Sequence, residues 1–267
     1  MGEIASAIHV RHIQTPIAAA EPFTRASRAA DVAAHMEQHK YDVTPIFPGP
    51  NDQAGRRSGD PEGTLRKVDL QSLDPADEVA SVVRPLTGST LIDSNATLVT
   101  LLDRFREEHR FMLVVGGLGL EGIVTPFDMN KQAGRTHLFM QISALEIALS
   151  DRLRAADTSD EEILGLLPDG RAAQVRRRWT RKQERDEATD IIAALDFQDL
   201  VNIQRFHSGI DAFATLSDDH VAALTRFRNS VMHAVLEPAG DDIERLEPLL
   251  TQTALVTNML DWLQATS

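Results

Sequence analysis

The stretch Arg228-Asn229-Ser230-Val231-Met232-His233 places an arginine, an amide and a histidine close together. A guanidinium can hold a phosphate through two donors, an imidazole can move a proton near neutral pH, and an asparagine can orient either partner. These are the parts that metal-free RNA cleavage needs, with a ribose hydroxyl attacking its own phosphate and the arginine neutralising the developing charge. One helix must position them. Ser217 can accept from an orphan amide at a helix start, Asp218 and Asp219 suit a first turn, and Pro238 and Gly240 supply a stop. The pattern therefore predicts a helix from Asp218 to Glu237. Val221, Leu224, Val231 and Val235 form its apolar stripe, and Arg228 occupies the vacant position of that stripe. A guanidinium in such a seam must be paired or must face an anion, because an unpartnered charge out of water is costly. Asn229 and His233, four apart, share an adjoining face.

An Arg, a polar residue and a His at this spacing near a helix end resemble the signature of HEPN domains, small helical bundles many of which cut RNA without a metal. The resemblance implies that Arg228 binds phosphate, His233 transfers a proton and Asn229 orients them. It also implies a homodimer that gathers two copies of Arg228 and His233 around one cleft, with single-stranded RNA as the expected partner. It supplies a carboxylate, Glu146 on an earlier helix, as a partner for Arg228, which leaves a purely structural ion pair open. Where one subset of the family carries a tyrosine two residues after the histidine, this chain has Val235, so nothing that depends on that tyrosine carries over.

Composition narrows the rest. A chain of 267 residues, 42% hydrophobic and 25% charged, reads as a globular protein long enough for two cores. It has no cysteine, which excludes disulfides, thiolate metal sites and a cysteine nucleophile. No His and carboxylate cluster has metal-ligand spacing, so no metal and no required cofactor is expected. No signal-peptide core or membrane-length apolar run is present, and a cytoplasmic protein away from membranes is the expectation. The net charge of -13 opposes a nonspecific nucleic-acid coat, so any RNA site must be local. One basic run stands out, Arg171, Arg176, Arg177, Arg178, Arg181, Lys182 and Arg185 around Trp179. It reads as a solvated helix face, with a phosphate-tracking face as the alternative.

The first half repeats itself. Ala29, Val32, Ala33 and Met36 make a helical stripe leading to a strand at Val43 to Phe47 and an apolar stretch ending in Asp69. Leu98, Leu101, Leu102 and Phe105 make a matching stripe leading to strands at Phe111 to Val115 and Leu120 to Val124, then Asp128. The unit is helix, strand, strand, helix, twice. Gly116, Gly117 and Gly119 permit a tight hairpin in the second copy, whereas the first carries a polar insertion from Pro48 to Gly63 that is expected to be an exposed, mobile loop. His9, Arg11 and His12 precede the repeats and read as incidental.

This pattern resembles a pair of CBS domains, tandem modules that bind adenine nucleotides or related ligands. The resemblance runs roughly from Ile4 to Asn130 and is most specific in Gly122-Ile123-Val124-Thr125-Pro126-Phe127-Asp128. It implies that Thr125 and Asp128 hold ribose and phosphate of an adenine nucleotide acting as a regulatory ligand. The corresponding stretch of the first copy, Gly63-Thr64-Leu65-Arg66-Lys67-Val68-Asp69, keeps the carboxylate at Asp69 but has Arg66 in place of the threonine, so that site is degenerate or tuned to a more anionic ligand. Helix capping is the ordinary alternative for Asp69 and Asp128.

The second half reads as helices. Leu138, Ile142, Leu145, Leu149 and Leu153 share one face; Ile191, Leu195, Leu200 and Phe206 belong to further helices; Leu249, Val256, Leu260 and Leu263 line a last one, with Pro248 suited to its first turn. Asp157 to Gly170 reads as a connecting segment and Gln132 to Arg135 as a hinge. The expected fold is α+β: a CBS pair of repeated helix-strand-strand-helix units, then an all-α antiparallel bundle. The expected domains are 1–75, with the insertion at 48–63, then 76–134, and 135–267. The expected function is nucleotide-controlled, metal-independent RNA cleavage; the alternative is a noncatalytic regulatory protein whose bundle dimerises and binds partners.

Overall fold

The computed structural model describes residues 8–17, 23–39, 41–49, 61–107, 111–117, 119–156, 158–185, 187, 190–207, 209–233 and 243–265, without the side chains of residues 233 and 243–247. The chain is a mixed α+β protein of two compact units, Ser6–Gly134 and one containing Arg135–Ser267. The first contains, in chain order, β1 (Thr15–Pro16), β2 (Phe23–Thr24), α1 (Ala29–His39), β3 (Val43–Phe47), β4 (Gly63–Arg66), α2 (Lys67–Leu70), β5 (Arg84–Pro85), β6 (Leu91–Asp93), α3 (Leu98–Arg106), β7 (Met112–Gly116) and β8 (Gly119–Val124).

The two amphipathic stripes form the helices their spacing predicts. On α1, Ala29, Val32 and Met36 are buried, and with Ile46, Leu65, Leu70 and Val79 they make the core of the first repeat. On α3, Leu98, Leu101, Leu102 and Phe105 are buried, and Thr97 caps the helix by accepting from the Thr100 amide. The hairpin between β7 and β8 turns through Gly119, whose φ of 113° lies where a side chain would be strained. Residues 50–60 of the expected insertion lie outside the described residues. The second helix of each unit is only a short element, α2 in the first copy and a 3-10 turn, Pro126–Asn130, in the second.

Each repeat carries a four-stranded sheet rather than two strands, because strands of two or three residues leave no periodicity to detect. The strand orders are β2-β3-β4-β5 and β1-β8-β7-β6. β2 runs parallel to β3 and β6 parallel to β7, while the hairpins β3/β4 and β7/β8 are antiparallel. The outer strands are exchanged. β1, which precedes the first repeat, pairs with β8 of the second at Thr15↔Ile123 and Pro16↔Gly122. β5, which precedes β6, pairs with β4 of the first at Thr64↔Arg84 and Gly63↔Pro85. Both crossings need a glycine: a Cβ on Gly122 would sit 2.6 Å from the Thr15 carbonyl oxygen, and one on Gly63 2.5 Å from that of Arg84.

The described residues of the second unit form helices only: α4 (Gln132–Ala155), α5 (Asp160–Gly165), α6 (Asp169–Gln183), α7 (Phe197–His207), α8 (Asp211–Ala214), α9 (Asp218–His233) and α10 (Ile243–Ala265), with a 3-10 turn at Ile191–Ala194. The Leu138, Ile142, Leu145, Leu149 and Leu153 face of α4 is buried. Ser217 accepts from the His220 amide at the start of α9; Val235, Glu237, Pro238 and Gly240 lie outside the described residues.

Several expectations are corrected. Gln132 to Arg135, expected as a hinge, do contain the division between the two units, but they form the first turn of a 24-residue helix. The segment 157–170 contains α5, which Ser159 and Glu162 cap reciprocally, a signal hidden by the run of acids that follows Ser159. Pro248 lies inside α10 rather than in its first turn. Phe206 lies on α7 as expected, 64% exposed with the Arg205 guanidinium 4.7 Å from its ring centre, whereas Leu195 follows the 3-10 turn outside any helix.

A polar knot centred on the buried Asp199 fastens α6 to α7. Arg171 donates from Nε and Nη2 to both oxygens of Asp199 at 2.8 and 2.6 Å, and also reaches Asp196, while Asp196 and Asp199 accept each other's backbone amides. The Asp199 carboxylate raises the Arg171 pKa further above its ordinary value, opposed by burial. Asp199→Ala is expected to lower unfolding stability by about 2–3 kcal/mol in urea melts, since charge-assisted bonds and a helix cap are lost together. Arg176→Ala, which removes an exposed pair with Glu161, is expected to cost less than about 1 kcal/mol.

Candidate functional site

The exchange of β1 and β5 builds two equivalent clusters. Glycine for glycine and carboxylate for carboxylate, Thr15, Thr125 and Asp128 of one correspond to Arg84, Arg66 and Asp69 of the other. In the second repeat β8 ends at Val124, and the chain turns at Thr125 into the 3-10 element that carries Asp128. Asp128 is buried, at 6% exposure. Its Oδ2 accepts from the Thr125 amide at 2.6 Å and hydroxyl at 3.0 Å, and its Oδ1 meets Lys131 Nζ at 2.7 Å and the Thr15 hydroxyl at 3.4 Å. Lys131 also donates to the Ile13 carbonyl at 2.6 Å and Thr15 Oγ1 at 3.1 Å, which fills its three donors and ties the β1 segment to Asp128. The capping role is therefore present, and two hydroxyls surround the carboxylate beside it.

In the first repeat the threonines are replaced by guanidiniums. Arg66 reaches Asp69 through Nε and Nη2, both at 3.2 Å, and Arg84 through the same two atoms, both at 2.9 Å. Asp69 is 15% exposed, whereas Arg66 and Arg84 are 42% and 54% exposed. The Arg84 bonds foremost, with Arg66 adding to them against the cost of burial, hold the Asp69 carboxyl down at about 2. Exposed apolar side chains precede each carboxylate, Val68 at 57% and Phe127 at 49%.

Thr15, Arg84 and Lys131 belong to these clusters and were missed by the repeat pattern. For Thr15 and Arg84 the signal is a leading segment in each copy, His9-Val10-Arg11-His12-Ile13-Gln14-Thr15-Pro16 and Glu78-Val79-Ala80-Ser81-Val82-Val83-Arg84-Pro85, with an early valine and a closing proline in register; Lys131 has no counterpart in the first copy, where Ser72 stands. Val10, Ile13 and Val79 are wholly buried. His9, Arg11 and His12 fall in this segment: burial foremost, then Arg11 and His9, lower the His12 pKa.

In the helical unit Arg228 comes together with Glu146 of α4 and with Asn229. Its Nε donates to Glu146 Oε1 at 2.7 Å, both side chains being 24% exposed, and its Nη1 donates to Asn229 Oδ1 at 3.2 Å. The His233 side chain lies outside the described residues. Much of the basic run is engaged internally. Arg178 and Lys182 donate to the carbonyls of Ala194 and Ala193 at the end of the 3-10 turn, where cations offset the exposed carbonyl dipoles, Arg176 pairs with Glu161 and Arg171 with Asp199. Among the described residues no group of three or more His, Asp or Glu could hold a metal ion, and no helix is long and apolar enough to cross a membrane.

No protein-family model matches the chain, and no curated protein matches it. Among solved structures it is similar to the CBS domain of a bacterial CNNM/CorC family Mg2+ transporter, at 22% identity and a TM-score of 0.39 over 49% of this chain and 78% of that one. It is also similar to that CBS domain in complex with ATP, at 23% identity and a TM-score of 0.38 over 46% and 85%. A third likeness is to a hemolysin-like protein containing a CBS domain from Oenococcus oeni PSU, at 11% identity and a TM-score of 0.39 over 49% and 94%.

The depressed Asp69 carboxyl has a pH signature. Its contribution to stability is present above the unfolded value near 3.8 and is lost as pH falls toward the folded value of about 2. Wild type is expected to exceed Asp69→Asn by about 1–2 kcal/mol near pH 6, discounted for the exposure of both arginines, with the gap closing between pH 4 and about 2. Denaturant melts of the two proteins across that range check the sign.

Proposed function

We propose that this chain is a ligand-responsive regulatory protein, in which residues 1–75 and 76–134 form a CBS-type pair that senses an adenine nucleotide and residues 135–267 form a helical, dimerising scaffold that carries the response. The observation that carries it is the Thr15, Thr125, Asp128 and Lys131 cluster at the strand exchange. Two hydroxyls and a carboxylate suit vicinal ribose hydroxyls, which can donate to Asp128 in place of Thr125 and Thr15. Lys131 links that carboxylate to β1, so a ligand that takes over Asp128 changes what holds the exchanged strand. Occupancy is thereby converted into a rearrangement at the edge of a sheet.

The scaffold reading of the helical unit is favoured over RNA cleavage by the partners of Arg228. The guanidinium that would grip phosphate is bonded to Glu146 of its own chain and to Asn229. A carboxylate at 2.7 Å offsets the charge that an incoming phosphate would need. No metal or resident cofactor is required in this reading.

Two measurements test the proposal. Calorimetry of the full chain with ATP is expected to show saturable binding that Asp128→Asn weakens roughly tenfold, as loss of a charge-assisted bond does, with the variant still folded. No binding by wild type, or equal binding by the variant, overturns the nucleotide assignment. Wild type and His233→Ala are expected to leave single-stranded RNA uncut in chelator, with and without ATP. Cleavage by wild type that His233→Ala abolishes would replace the scaffold with a ribonuclease.

A further inference from the structure

The two exchange sites are built on the same backbone plan but differ in charge. In the second repeat one lysine and one carboxylate cancel, and the Lys131 donors all end on protein acceptors. In the first repeat two guanidiniums meet one carboxylate, so one positive charge is left over. Lys67 beside them is paired with Glu37. Arg66 and Arg84 both use Nε and Nη2 on Asp69, which leaves each Nη1 without an acceptor among the described residues.

Because Arg66 and Arg84 share one mostly buried anchor, their planes are fixed before anything binds. A free pair of arginines would have to lose side-chain entropy and overcome mutual repulsion to take up such an arrangement. Anchored guanidiniums that are half exposed and have spare donors are receivers for an anion with several oxygens, since their forks match phosphate geometry. We propose that Arg66 and Arg84 form a binding site for a small phosphorylated or pyrophosphorylated anion in the first repeat, with Asp69 as the positioning residue that holds the two forks. The net charge of -13 repels polyanions at long range, which favours a small ligand over RNA or an anionic membrane. This site does not depend on nucleotide binding at Asp128.

Inorganic pyrophosphate is the probe, titrated calorimetrically into the full chain at fixed ionic strength, with sulfate as the control anion. Saturable binding tighter than that of sulfate is expected, weakened at least about tenfold in Arg66→Gln and in Arg84→Gln. Arg84→Lys should also bind more weakly, because an ammonium keeps the charge but loses the fork. Asp128→Asn should leave pyrophosphate binding unchanged, so failure of the nucleotide assignment stays distinguishable from failure here. Circular dichroism melts confirm that each variant is folded. The assignment is overturned if wild type does not saturate at millimolar pyrophosphate, if Arg66→Gln and Arg84→Gln bind as wild type does, if sulfate binds equally well, or if adenosine, which has no phosphate, displaces the probe.

Discussion

The exchange of two short strands between neighbouring repeats is the constraint on which the first unit depends. β1 and β5 are each two residues long and have almost no stability of their own. They hold their places because each lies against a glycine, Gly122 or Gly63, where any side chain would meet the opposing backbone. Burial of Val10 and Ile13 before β1, and of Val79 before β5, anchors the approach. The result is that each sheet is completed by the segment leading into the other repeat, and residues far apart in sequence, such as Thr15 and Asp128, meet at one strand end.

Once the strands cross, charge decides what each site becomes. A carboxylate removed from water must be compensated, and the two repeats meet that demand differently. Asp128 is compensated by Lys131, two threonine hydroxyls and a backbone amide, giving a closed, neutral cluster. Asp69 is compensated twice over by arginines, giving an open cluster with donors to spare. Equivalent positions in a duplicated fold thus carry different chemistry through three side-chain changes, Arg66 and Arg84 in place of the two threonines and Ser72 in place of Lys131.

The same demand shapes the helical unit. Asp199, Asp190 and Glu146 each take an arginine from another helix, Arg171, Arg154 and Arg228. A basic run that resembles a nucleic-acid face is largely exposed, as a solvated helix face is, yet several of its members are held by partners within the unit. Arg178 and Lys182 close the end of a 3-10 turn, and what faces solvent without a partner among the described residues is chiefly Arg177 and Arg181.

Periodicity made the large elements legible. The stripes on α1, α3 and α4 are buried as their three and four residue steps require, and the strands Val43–Phe47 and Gly119–Val124 lie within a residue of where their apolar runs put them. The carboxylates Asp69 and Asp128 were legible too, because they follow strands in two aligned copies. Boundaries fared worse where local signals conflict: Pro248 sits within α10 and Leu195 falls outside any helix, since helix continuation is settled by neighbours rather than by the residue itself. By itself the sequence determined which residues are apolar, where the repeats lie and which residues could carry charge to a site. Only the tertiary structure decided that Thr15 joins Asp128, that Arg84 joins Asp69 and that Arg228 joins Glu146. Those pairings span 113, 15 and 82 residues, and they are set by strand exchange and by compensation of charge drawn out of water, neither of which has a period in sequence.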